Sequence, residues 1–133
     1  MAVKVLLDSN FLLIPPQFKI DIFEELNRVL ETKVDPIILS PVYQEIERLS
    51  NVESERLRRQ ARLALKLARR CRIIHVERRE GESVDELLVR IAEEWRCPVA
   101  TNDAELRRKL REKQIATIFL RDMSYLEVEG YTP

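Results

Sequence analysis

The chain has 133 residues, the length of one domain, with 45% hydrophobic and 35% charged side chains. That hydrophobic share excludes a disordered chain, and 2 glycines with 6 prolines exclude collagen-like and low-complexity readings. The 23 basic and 23 acidic residues cancel overall but are segregated: 4 basic against 8 acidic in 1–47, 9 against 2 in 48–72, 4 against 9 in 73–106 and 6 against 4 in 107–133. Such blocks predict a polyanion-binding surface beside an acidic pocket, the plain alternative being solvated helix faces.

In chain order, Val3, Val5, Leu6 and Leu7 form a short apolar run that stops at Asp8, as expected of a strand buried on both faces of a parallel sheet. Apolar positions Phe18, Ile22, Leu26, Val29 and Leu30 predict a helix over 18–30. Ile37 to Leu39 is a second strand. Ser40 and Pro41 open a helix through Leu49, Ser40 as N-cap and Pro41 at the first helical position. Residues 53–70 form a long helix with Leu57, Ala61, Ala64, Leu65 and Ala68 facing inward. Residues 73–76 make a third strand that holds the only histidine, His75, as a packed residue. Ser83 and Glu86 form a capping box at the head of a helix ending near Arg96, its buried stripe Leu87, Leu88, Ile91, Ala92 and Trp95. Residues 98–101 are a fourth strand, 103–113 a helix, 116–120 a fifth strand, and 122–133 a short edge element. The expected fold is α/β: a three-layer α/β/α sandwich on a central, mainly parallel five-stranded sheet with right-handed connections, one domain over 1–133.

Cys71 and Cys97 make neither a disulfide framework nor a CxxC pair. Both are expected as reduced core thiols, which fits a cytoplasmic protein. Asp8 interrupts the only apolar N-terminal stretch, and no apolar run reaches the ~18 residues of a membrane span, so neither signal peptide nor membrane partner is expected.

Sites in open α/β sheets lie beyond the carboxyl ends of the strands. The polar residues expected there are Asp8, Ser9 and Asn10 after the first strand, Glu45 on the helix after the second, Asp85 at the head of the helix after the third, and Thr101, Asn102 and Asp103 after the fourth. Four carboxylates without histidine or thiolate repel one another unless a cation compensates, and oxygen-only donors select Mg²⁺ or Mn²⁺. Such an ion polarises a phosphodiester and lowers the pKa of bound water. Each acid also has a bland reading: Asp103 as an N-cap, Asp85 as a favourable charge on a helix dipole, Glu45 as a solvated helix residue. Asp8 is harder to dismiss, because it sits between a buried strand and the apolar run 11–14.

These residues resemble the PIN-domain ribonuclease family over essentially the whole chain. The pattern is carried by Asp8 in LLDSNFLL, Glu45 in SPVYQEIERL, Asp85 in SVDELLVRIAEE and Asp103 in VATNDAELRRKL. Within the family, the stretches 8–12 and 17–22, and VATNDAELRRKLR followed by IFLRD, are most similar to the archaeal branch that resembles eukaryotic small-subunit rRNA-processing PIN nucleases. The resemblance implies an Mg²⁺- or Mn²⁺-dependent endoribonuclease with Asp8, Glu45, Asp85 and Asp103 as catalytic and metal-binding residues. Ser9, Asn10, Thr101 and an accessory Glu105 would support them. It also implies a central first strand with the fourth beside it, and a homodimer. Val84 stands where the family often has a further acid. RNA is expected on Arg58, Arg62, Lys66 and Arg69 of the basic helix and on Arg107 and Arg108 after Asp103. A role in rRNA processing with a ribosome-assembly partner stands beside two alternatives: a toxin-type ribonuclease paired with an antitoxin, and a non-catalytic RNA-binding or assembly module. A receiver-like signalling domain fits poorly, since Ser9 and Asn10 follow Asp8 where a second acid is wanted.

Overall fold

The computed structural model describes residues 2–130, and of residues 16 and 17 the backbone alone. The elements run β1 (Val3–Leu7), α1 (Ser9–Leu12), α2 (Ile14–Phe18), α3 (Ile22–Leu30), β2 (Val34–Leu39), α4 (Ser40–Leu49), α5 (Glu55–Ala68), β3 (Arg72–Ile74), α6 (Val84–Trp95), β4 (Val99–Ala100), α7 (Ala104–Glu112), β5 (Thr117–Arg121) and β6 (Tyr125–Glu129). One sheet takes them in the order β3-β2-β1-β4-β5-β6, parallel except for β6. The central strands read as continuous apolar runs because both faces are covered: Val5, Leu6, Leu7, Ile37, Ile38, Leu39, Val99 and Ala100 are all fully buried.

Asp8 ends β1 and caps α1, its side chain accepting from Ser9 N. The apolar run after it coils into α1 and buries Phe11 and Leu12. The helix expected over 18–30 is broken. Lys19 takes a left-handed conformation (φ 56°) that ends α2, and Asp21 accepts from Phe23 N and Glu24 N to start α3. A local side-chain cap thus overrides the apolar periodicity across it.

β2 begins at Val34, earlier than the apolar run suggests, and passes through Pro36. The proline is tolerated because β3 pairs only with residues 37–39. Ser40 is not the N-cap of α4, a position that Leu39 holds without a side-chain bond. The Ser40 hydroxyl instead bridges to β3's exit, accepting from Val76 N at 3.1 Å and lying 3.3 Å from Val76 O. His75 is not packed in a strand: it follows β3, is largely exposed, and lies 3.0 Å from Glu77 Oε1. Ser83 does cap α6, accepting from Glu86 N at 3.1 Å, while the Glu86 carboxylate meets the Ser83 hydroxyl at 3.2 Å.

The sheet has six strands rather than five. Asp122 and Met123, at φ 52° and 54°, make a two-residue turn closed by Ser124 N to Arg121 O at 3.1 Å, which folds β6 back on β5. The outward backbone of β6 is met by α3: Leu126 N donates to Glu25 Oε1 at 3.2 Å, and Arg28 Nη2 donates to Leu126 O at 3.0 Å. Glu25 and Arg28 are themselves an ion pair at 2.7 Å. Residues 131–133 of the expected edge element lie outside the described residues. Cys97 is buried and Cys71 half-buried, and burial pushes their thiols up to about 11 and about 12. Among the described residues, no helix is long and apolar enough to cross a membrane.

Candidate active site

The sheet reverses its winding between β1 and β4, and ligands of such sheets bind beyond the carboxyl ends of the strands at that point. Asp8 leaves β1 there and Thr101 leaves β4. Asp8 N donates to Ala100 O at 2.9 Å, which holds the two strand ends together. Asp8 is only 4% exposed. Its Oδ2 accepts from Thr101 Oγ1 at 2.8 Å and Asn10 Nδ2 at 3.1 Å, and its Oδ1 from Ser9 N at 2.8 Å. Burial raises the carboxyl from 3.8 to about 6. Desolvation is the main cause, the hydrogen bonds from Thr101 and Ser9 oppose it, and the charges of Asp85 and Glu45 add to it.

The other three acids share this field. Glu45, half-buried on α4, accepts from the Ser9 hydroxyl at 3.1 Å. Asp85, in the first turn of α6, is raised by partial burial and then by Asp103, with Lys109 of α7 offsetting in part and Glu45 adding. Asp103 caps α7, accepting from Glu105 N at 2.9 Å, while its own N–H donates to Thr101 Oγ1 at 3.1 Å. Asp8 and Asp103 are therefore tied to one threonine hydroxyl.

Two asparagines complete the frame. Asn10 Oδ1 accepts from Asn102 N at 2.9 Å, and Asn102 Oδ1 accepts from Leu120 N at 2.9 Å. The chain of bonds runs from β1 through the β4–α7 loop to β5. Asn102 was not singled out as a supporting residue by the sequence, because its role depends on β5 closing beside β4.

The basic residues divide. Arg62, Lys66 and Arg69 are exposed on α5, and none has a carboxylate within ion-pair distance among the described residues. Arg58 is half-buried, with Nη1 near Val52 O and Glu53 O at 3.4 and 3.5 Å. Arg70, next to Arg69, stacks over Phe23 at 4.4 Å, in a hollow with Val34 and Pro36 at the start of β2, so the last turn of α5 lies toward the end of the sheet away from Asp8. Arg108 is held by both Glu105 and Glu112, and Arg107 lies 3.6 Å over the Phe119 ring. Glu105, the expected accessory acid, is exposed and held low by Arg108.

In kind, the donors fit a hard divalent cation, being carboxylate oxygens without thiolate or imidazole. Among the described residues, no three such side chains are gathered into a ready-made metal cage. The acids form a common field rather than a closed shell. A hollow of about 380 Å³ lies at the opposite end between Ala92, Cys97, Pro98 and Ile115, and has one carboxylate, Glu93.

A family profile described as a PIN-like domain matches residues 5–123. The chain belongs to the PIN-like domain family. Ribonuclease VapC4 of Methanocaldococcus jannaschii is 35% identical over 129 residues, 96% of this chain and 97% of that protein. The rRNA-processing protein FCF1 of Saccharomyces cerevisiae is 35% identical over 111 residues, covering 82% of this chain and 54% of that longer protein. Among solved structures, the PIN domain endonuclease Utp24 superposes with a TM-score of 0.78 at 29% identity, over 97% of this chain and 92% of that one. A Methanocaldococcus jannaschii domain of unknown function, at TM-score 0.64 and 19% identity over 99% of this chain and all of that one, shares the fold. The PIN sheet, with β1 central and β4 beside it, is thus both the resemblance's expectation and the observed topology.

Proposed function

We propose that this PIN domain is a divalent-metal-dependent endoribonuclease whose site is Asp8, Glu45, Asp85 and Asp103. The observation that carries the reading is Asp8: a buried carboxylate held by three donors, in the field of two further acids and without an ion-pair partner among the described residues. A group so arranged is stabilised by a cation, and the four acids would hold Mg²⁺ or Mn²⁺. Bound there, the ion would supply Lewis-acid activation of the phosphodiester and of water. Thr101, Asn10 and Ser9 keep the carboxylates of Asp8 and Glu45 oriented. Arg62 and Lys66 on α5 would take RNA phosphates, giving affinity with little sequence preference.

Likeness to FCF1 and Utp24 supports a substrate in rRNA processing, with a ribosome-assembly partner. A toxin role with an antitoxin partner is the second reading, supported by the end-to-end match to VapC4. A labelled single-stranded RNA incubated with Mg²⁺, Mn²⁺ or EDTA tests the activity. Cleavage with either ion, none in EDTA, and a loss of at least about 100-fold in Asp8→Asn are expected. Cleavage that persists in EDTA overturns the metal assignment. RNA binding with no cleavage in any condition favours the non-catalytic module.

A further inference from the structure

Beside the acids, α4 presents Pro41, Gln44, Glu45 and Arg48 on one face, spaced i, i+3, i+4, i+7. That face looks across a cleft of about 280 Å³ to Arg78 and to Val84, the residue before Asp85. Of the chain's arginines, Arg28, Arg59, Arg72, Arg90, Arg108, Arg111 and Arg121 are held by carboxylates. Arg48 and Arg78 have no such partner among the described residues, although both line a hollow that also contains Glu45.

The loop that carries Arg78 is tied on both sides of it. Before it, the Ser40 hydroxyl fixes Val76, and Arg90 Nη2 donates to Glu77 O at 3.1 Å. After it, Arg79 N donates to Glu82 Oε1 at 3.0 Å, and Glu82 is held by Arg90 Nε at 2.8 Å. The backbone at Arg78 is thus built in place while its guanidinium is left without a partner. Pre-positioning of this kind lowers the ordering cost of binding. Two guanidiniums without carboxylate partners, lining one hollow beside a carboxylate site, match an anionic oxygen ligand, and the planar fork suits a phosphate in particular.

We infer that Arg48 and Arg78 form a phosphate clamp for the RNA nucleotide next to the one cleaved, setting the strand against Glu45 and Asp85. The inference rests on the endoribonuclease reading for its substrate. Neither arginine belongs to the basic run on α5, so this clamp is separate from the general basic face. The two residues act by binding and positioning rather than on the reacting atoms.

The test uses the full chain and a fluorescently labelled single-stranded RNA oligomer. Its affinity is measured by anisotropy in EDTA over a range of salt, and its cleavage kinetics are measured separately with Mn²⁺. The Arg48→Ala/Arg78→Ala variant should flatten the slope of log affinity against log salt by about 1.4, the value for two single-strand phosphate contacts. Its KM should rise about tenfold while kcat stays within about twofold. Lys33→Ala/Lys113→Ala removes two exposed charges at the other end of the sheet and should leave the slope as in wild type. Arg48→Lys/Arg78→Lys should keep most of the slope and lose part of the affinity, since charge remains but the fork does not. An Ala variant with wild-type affinity and slope overturns the clamp, as does an equal flattening in the control pair. Wild-type protein that shows the arginine-dependent slope but cuts nothing with Mn²⁺ overturns the nuclease reading and leaves the clamp standing.

Discussion

Asp8→Asn isolates the energetic cost of the buried carboxylate. The folded-state carboxyl lies at about 6, against 3.8 for an unperturbed aspartate. The folded protein therefore holds the proton more tightly than the unfolded chain, and stability falls as pH rises from about 4 through about 6, then levels. At about 1.4 kcal/mol per pH unit, the cost at pH 8 is about 3 kcal/mol. The amide removes the charge but loses an acceptor for Asn10 Nδ2 or Thr101 Oγ1, at about 1 kcal/mol. In EDTA at pH 8, the variant should be about 2 kcal/mol more stable than wild type, and near pH 4 it should be level or slightly weaker. Urea unfolding followed by far-UV circular dichroism reads both values. Acids distant from Asp8 cancel in the difference between the two proteins, which reports Asp8 together with its coupling to the neighbouring acids. Mn²⁺ added at pH 8 should raise the wild-type Tm and leave the variant's nearly unchanged. A wild-type-to-variant difference that is constant over this range, or a wild type that gains on the variant as pH rises, would refute the reasoning.

Ser40→Ala should destabilise the fold by about 1–2 kcal/mol, because Val76 N–H loses its acceptor at a half-buried position; urea unfolding measures it. Met123→Gly should stabilise by about 1 kcal/mol, since a side chain at φ 54° in the turn between β5 and β6 is strained where glycine is not; a rise in the urea midpoint with unchanged m checks it. Cleaved RNA should carry 3′-hydroxyl and 5′-phosphate ends, because water activated at the proposed metal site is the expected nucleophile, and the only histidine, His75, lies away against Glu77 after β3 and is not placed to serve a 2′-hydroxyl. Mass spectrometry of the products decides this, and 2′,3′-cyclic phosphate ends would reject it.

The placement of the candidate site's residues was legible where chemistry and chain position coincide. A charge that ends an apolar strand, as Asp8 does, has to meet something beyond the strand, and the same holds for Thr101 and Asp103 after β4. The central strands were legible as unbroken apolar runs. Local competition was harder to read: the 3.6-residue period over 18–30 runs straight through Lys19 and Asp21, yet one left-handed residue and one aspartate cap divide it. Ser40 had every local mark of an N-cap, and its hydroxyl went instead to Val76, 36 positions on. The Asn10–Asn102–Leu120 relay and the stacking of Arg107 on Phe119 likewise depend on partners from other elements. The local pattern around each of these residues does not name its partner.

The contact of α3 with β6 bears on self-association. A free strand edge is a template on which another chain can lay its own backbone. At the middle of β6, both groups that such a chain would need are already occupied, the Leu126 amide by Glu25 and its carbonyl by Arg28. An incoming strand would have to displace a charge-assisted pair at each of them before gaining its first backbone bonds. The other edge, β3, is only three residues long and starts with Arg72, which is paired to Asp35. Growth of the sheet from one molecule into the next is thus opposed at both borders, by an ionic plug at one and by shortness at the other.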